Sequence, residues 1–105
     1  MARGKGRKDD KSIAALVTAL NHPSRREILR LLLDCDELSP RAASGIMDKP
    51  LPHVSYHVRV LARTGAVTLS GTRQRRGAIE HFYTATEEVK EAGWIRRALP
   101  PGTAA

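Results

Sequence analysis

From Ser12 onward the apolar residues Ile13, Leu16, Val17 and Leu20 recur at steps of three and four, which predicts a first amphipathic helix with a single apolar stripe. Asn21-His22-Pro23 stops it. Pro23 suits the first turn of a second helix, while Ser24-Arg25-Arg26-Glu27 fits a capping box, so two starts a residue or two apart stay open. Ile28, Leu29, Leu31, Leu32 and Leu33 wrap more than half of that helix and place it centrally in the core. Leu38-Ser39-Pro40 reads as an apolar lead, an N-cap and a proline at N1. A short third helix of small residues, Ala42, Ala43, Ser44 and Gly45, follows and ends near Met47. After the turn Asp48-Lys49-Pro50, a fourth helix begins at Pro52, carries Val54, Val58 and Leu61 inward and closes at Thr64-Gly65. Val60 points partly outward on this helix, without an evident partner.

The pattern then changes period. AVTLSG alternates like a strand, TRQRRG is polar and turn-like, and AIEHFYTA is a second strand-like run containing Ile79, Phe82 and Tyr83. Thr86-Glu87-Glu88 caps a last helix running through Leu99, and Pro100-Pro101 ends regular structure. There is no internal repeat. The expected order is helix, helix, helix, turn, helix, hairpin, helix: a mainly α fold with one small β-hairpin.

A short small-residue helix, a tight turn and a helix with a polar, basic outer side form a helix-turn-helix, whose second helix enters a DNA major groove. The hairpin after it is a wing. With Val54, Val58 and Leu61 turned inward, Tyr56, Arg59 and Arg63 face outward, flanked by Pro52, His53 and Ser55 near the N-terminal end. Arg59 suits bidentate hydrogen bonds to a guanine. Tyr56 and His53 suit a base edge or a phosphate, and Ser55 a phosphate. The competing reading of Tyr56 and His53 is that they only shield the third helix. Ser39 and Arg41, at the start of that helix, are further candidates for contact with DNA. In the expected wing loop, 71–77, Arg73, Arg75 and Arg76 crowd together; a narrow, negative minor groove would offset their repulsion, and a charged solvated turn is the competing reading.

The run VSYHVRVLARTGAV resembles the ArsR-type winged-helix transcriptional regulators, with its Ser-x-His-hydrophobic-x-x-Leu core and its Gly-hydrophobic-Val exit into the wing. LNHPSRREILRLLL is similar to that family's preceding core helix, and RRGAIEHFYTAT to the returning strand of its wing. Together the likeness spans about residues 12–99. It implies a winged helix-turn-helix fold and puts His57 near the DNA backbone. The helical angle of His57 instead lies beside the buried stripe and suits a core histidine, and both placements stay open. Many ArsR-type proteins sense metals through a cysteine pair on the helix before the turn, or through His and acidic residues on the first and last helices. This sequence departs from both patterns, so it resembles a branch that does not sense metal.

The rest of the sequence narrows the partners. A chain of 105 residues makes one domain at most, expected over 12–99 between a flexible basic arm, 1–11, and a disordered tail, 100–105. Lys and Arg number 18 against 11 Asp and Glu, a net charge of +7, which favours a polyanion such as double-stranded DNA. No run approaches the roughly 20 apolar residues of a membrane span, and no signal-type segment follows the basic start, so a cytoplasmic protein without membrane contact is expected. Cys35 is the sole cysteine and cannot form an internal disulfide. With His22, His53, His57 and His81 scattered along the chain, it offers no metal-ligand spacing. No phosphate loop, carboxylate pair or nucleophile with its base is present, so neither enzyme activity nor a cofactor is expected.

Ile13, Leu16 and Val17 on the first helix and Val89, Trp94, Ile95 and Leu99 on the last offer more apolar surface than one subunit would cover, which predicts a homodimer. Packing within one subunit is the alternative. A two-fold dimer sets its recognition helices about 34 Å apart, so a palindromic operator is expected. Repression is favoured over activation because no segment resembles a surface for recruiting polymerase. The sequence names no small-molecule effector. A winged-helix protein-interaction or RNA-binding module is the alternative of another class.

Overall fold

The computed structural model describes residues 10–101. Four helices come first: α1 (Asp10–Ala19), α2 (Pro23–Asp34), α3 (Pro40–Met47) and α4 (Leu51–Arg63). A hairpin of β1 (Val67–Arg75) and β2 (Ala78–Ala85) follows, then two short helices, α5 (Glu87–Glu91) and α6 (Gly93–Ala98). This is the mainly α, winged helix-turn-helix architecture that the apolar periodicity predicts. The expected arm, 1–11, and tail, 100–105, lie almost wholly outside the described residues, though α1 already begins at Asp10, inside the expected arm.

Of the two starts open for α2, the structure takes the proline. His22 is the N-cap, its Nδ1 accepting the Ser24 N–H at 3.1 Å, with Pro23 in the first turn, where a missing N–H costs nothing. Ser39 caps α3 by accepting the Ala42 N–H at 3.1 Å, again followed by a proline. Asp48 leaves α3 in the left-handed conformation, φ 57°. Gly65 leaves α4 at φ 87°, where a side chain would be strained. Ile28, Leu29, Val54 and Leu61 form the centre of the core, closed by Val89 and Ile95 from the C-terminal helices. Val60, expected to point partly outward, is buried as well.

The C-terminal region departs from expectation. In place of one helix from Thr86 to Leu99 there are two, broken at Ala92, which is extended at φ −91° and ψ 101° just before Gly93. On an unbroken helix Val89 and Ile95 would lie about 120° apart around the axis, so only one would face the core squarely. The break resets the phase, and Val89, Ile95 and Leu99 are all buried.

The hairpin also differs from its expected form. TRQR is not a loop but the outer part of β1, paired as Arg73↔Glu80, Gln74↔Ile79 and Arg75↔Ala78. The connection is only Arg76-Gly77, both at positive φ (46° and 81°), as a two-residue type I′ turn requires. Ser70 is an extra residue between the pairs Leu69↔Tyr83 and Gly71↔Phe82, a bulge that bends β1. Near the root, Leu38 makes an isolated bridge to Tyr83, with bonds of 3.0 and 2.9 Å, tying the α2–α3 linker to the free edge of β2.

Candidate nucleic-acid interface

α4 packs against α2 and α3 and borders β1, which turns one long side of it to solvent. That side carries Tyr56, 51% exposed, with Pro52, Arg59 and Arg63 also exposed and His53 and Ser55 half-buried. Between this helix and the hairpin lies a cleft of about 710 Å³. Arg41 from α3, Arg59 from α4, and Arg75 and Arg76 from the hairpin all line it, with Ser55 on one wall and Glu80 as its only acidic residue. Four arginines from three elements, α3, α4 and the hairpin, thus line one concavity. Cations gathered in this way repel one another until something negative enters between them.

The wing arginines do not share one environment. Arg73 pairs with Glu37 at 3.0 Å and stacks over the Phe82 ring at 4.3 Å. Arg75 Nε lies 3.5 Å from Glu80. Arg76, at the tip, has no ion pair among the described residues and is the most available of the three.

Burial withdraws two residues from the expected contacts. Ser39 is 1% exposed, its Oγ accepting from the Ala42 N–H and donating to Glu80, so it offers nothing to a phosphate. His57 is 4% exposed, and the core placement, not the DNA-backbone placement, is the one observed. Its Nδ1 lies 3.1 Å from Arg25 NH1. A guanidinium only donates, so this Nδ1 accepts and carries no proton.

Sequence spacing hid a further feature, because three of the four scattered histidines, His22, His53 and His57, meet in space. The His57 ring centroid lies 4.2 Å from that of His22 and 4.6 Å from that of His53, at the junction of α2 and α4. His53 Nε2 also hydrogen-bonds with Ser24 Oγ at 3.0 Å, and the Tyr56 and His57 rings meet steeply tilted with their centroids 5.1 Å apart. Burial, then the neighbouring His22, His53 and Arg25, lower the pKa of His57 to about 4. Burial, with Arg25, His53, Arg26 and Lys49 behind it, lowers that of His22. Among the described residues no group of three or more His, Cys, Asp or Glu has the geometry to hold a metal ion, and Cys35 is an exposed free thiol. No helix among them is long and apolar enough to cross a membrane.

A family model described as a helix-turn-helix domain matches residues 20–70, from the end of α1 through α4 into β1. Among solved structures, reduced HlyU of Vibrio cholerae is 32% identical, with 82% of this chain and 83% of that one covered and a TM-score of 0.63. The chain belongs to the ArsR-type winged-helix transcriptional regulators. As an ArsR-type regulator it is a DNA-binding protein, and its fold is that of regulators rather than enzymes. Other likenesses include the transcriptional repressor BigR of Xylella fastidiosa, 26% identical, covering 82% of this chain and 75% of that one, at a TM-score of 0.58. The homodimeric winged helix-turn-helix domain of Mb0332 from Mycobacterium bovis shares the fold at 23% identity, covering 90% of this chain and 82% of that one, at a TM-score of 0.62. Among curated proteins none matches.

Proposed function

We propose that this chain is a sequence-specific, dimeric repressor that reads a palindromic operator, with α4 in the major groove and the tip of the hairpin at the adjacent minor groove. The observation that carries this reading is the cleft itself: Arg41, Arg59, Arg75 and Arg76 converge on it from α3, α4 and the hairpin, beside an exposed Tyr56. In this reading Arg59 meets bases from the cleft, Tyr56 and His53 meet bases from the neighbouring exposed side of α4, and Pro52, Ser55, Arg63 and Arg41 fit the backbone around them. Arg76 is the leading wing contact, and Arg73 and Arg75 contribute positive potential from positions already braced by acids. Repression is supported by the likeness to BigR, and dimerisation by the homodimeric domain from Mycobacterium bovis.

Duplexes selected from a random pool provide the test. Wild-type protein is expected to prefer the selected site over a scrambled one and to lose affinity steeply with salt. Arg59→Ala is expected to lower that preference by about 10- to 100-fold, whereas Arg76→Ala weakens all duplexes alike and reduces the salt slope by about one. Equal binding of selected and scrambled duplexes by the wild type would overturn the reading.

A further inference from the structure

We infer that Glu80 is the positioning residue of the wing, a sheltered tie that holds the outer hairpin against the N-terminus of α3 and so sets where Arg76 meets DNA. The inference rests on the DNA-binding reading above. Glu80 lies on β2 opposite Arg73, and beyond it only the pairs Gln74↔Ile79 and Arg75↔Ala78 precede the turn. In a hairpin otherwise largely exposed, its side chain keeps only 12% of its accessibility. One carboxylate oxygen accepts from Ser39 Oγ, the other faces Arg75 Nε at 3.5 Å, and Ser39 in turn caps α3 through the Ala42 N–H. The chain of contacts therefore runs from the first turn of α3, through Ser39 and Glu80, to the strand that carries the tip.

Other ties between hairpin and body do not substitute for it. The Leu38–Tyr83 bridge and the Thr84 Oγ1 bond to Asp36 O, 2.7 Å, lie at the root. Glu37 reaches Ser70 Oγ at 2.7 Å and Arg73 at 3.0 Å, but the Arg73–Glu37 pair is 63% and 39% exposed, where solvent screens it. Among the described residues, Glu80 alone joins the outer strands to the helix-turn-helix from a sheltered position.

Its charge makes the proposal sharp. Glu80 is the one carboxylate lining a cleft of four arginines. If it acted only through charge, removing it would strengthen the binding of a polyanion. A positioning residue predicts the opposite sign, because an unfixed tip must be ordered on binding.

The test compares Glu80→Met, which keeps volume but has no carboxylate, with Glu80→Gln, which keeps an acceptor for Ser39. Both are combined with Arg76→Ala and measured by fluorescence anisotropy on a duplex selected with the wild type. Glu80→Met is expected to weaken binding about 5- to 20-fold, and Arg76→Ala to cost about tenfold in the wild type but no more than about twofold in that background. Glu80→Gln is expected to recover most of the affinity. In the free protein, amide order parameters at Arg76 and Gly77 are expected to fall from about 0.85 to below about 0.6 in Glu80→Met. Binding by Glu80→Met as tight as the wild type, an undiminished Arg76→Ala cost, or an unchanged rigid tip overturns the proposal. Should Glu80→Met fail to fold, Ser39→Gly, which an N-cap position tolerates, removes the tie from the other side with the same expected outcomes. If the wild type shows no preference for its selected duplex, the DNA-binding reading fails, and the order parameters still decide whether Glu80 holds the wing.

Discussion

At the scale of single residues, the histidine cluster decides the acid sensitivity of the fold. His57 Nδ1 accepts from Arg25 and His22 Nδ1 from the Ser24 N–H, so each imidazole is neutral at the nitrogen that holds the structure. Both folded pKa values lie below the unfolded one, about 4 for His57 against 6.5, so the unfolded chain binds more protons as pH falls. Stability is then full above pH 6.5 and is lost progressively towards pH 4, with His57 contributing roughly 2 to 3 kcal/mol of the change. Urea unfolding at pH 7, 6 and 5 checks this, since most carboxylates titrate lower. The expected slope shrinks in His57→Gln, and a wild type equally stable at pH 7 and pH 5 would contradict it. None of this was legible along the chain, because His22 and His53 come from different elements and meet only when α2 crosses α4. The exposure of Tyr56 and Arg59 was legible, since both follow from helical angle once Val54 and Val58 are known to face inward.

At the scale of elements, the sequence reads well wherever one face is buried and poorly where none is. The first four helices follow from apolar spacing and proline placement, and each is observed with bounds within two residues of expectation. The outer part of β1 reads as a loop along the chain because alternation arises only when one face of a strand meets a core, and from Thr72 to Arg75 both faces are exposed. The break at Ala92 leaves no mark in the sequence for a related reason: Val89, Ala92, Ile95 and Leu99 have a helical spacing that conceals the change of phase. The turn has its own consequence. Arg76 occupies a left-handed position that Asn or Gly takes at about 1 kcal/mol lower cost. Arg76→Asn is therefore expected to raise the melting temperature by a few degrees while weakening DNA binding, as calorimetry and anisotropy on one preparation would show. Loss of stability in Arg76→Asn would refute the turn assignment.

At the scale of the whole molecule, the described residues leave a smaller self-association face than the apolar content of the terminal helices predicts. Leu16, Val89, Ile95 and Leu99 were expected at a dimer interface, yet this chain buries all four in its own core. The expectation failed because it took each helix as having one apolar stripe for a partner, whereas the bend at Ala92 lets the subunit use that stripe itself. Ile13 and Val17, one turn apart on α1, and Trp94 on α6 remain exposed, and the proposed dimer depends on them. Val17→Glu is expected to leave helix content unchanged while shifting the sedimenting species to the 11.5 kDa monomer and weakening operator binding at least tenfold. A wild type already sedimenting as a monomer at micromolar concentration would remove this face from consideration.

The two-stranded hairpin has a consequence for solubility. Beyond the Leu38–Tyr83 bridge its edges pair with no further strand among the described residues, and Leu69 and Ile79 are exposed on the same strands, a combination that invites edge-to-edge addition of strands from other molecules. Arg73, Arg75 and Arg76 interrupt that surface as gatekeepers. Neutralising them to tune recognition would therefore remove the protein's guard against aggregation, and each such variant would have to be checked for monodispersity before its affinity is interpreted.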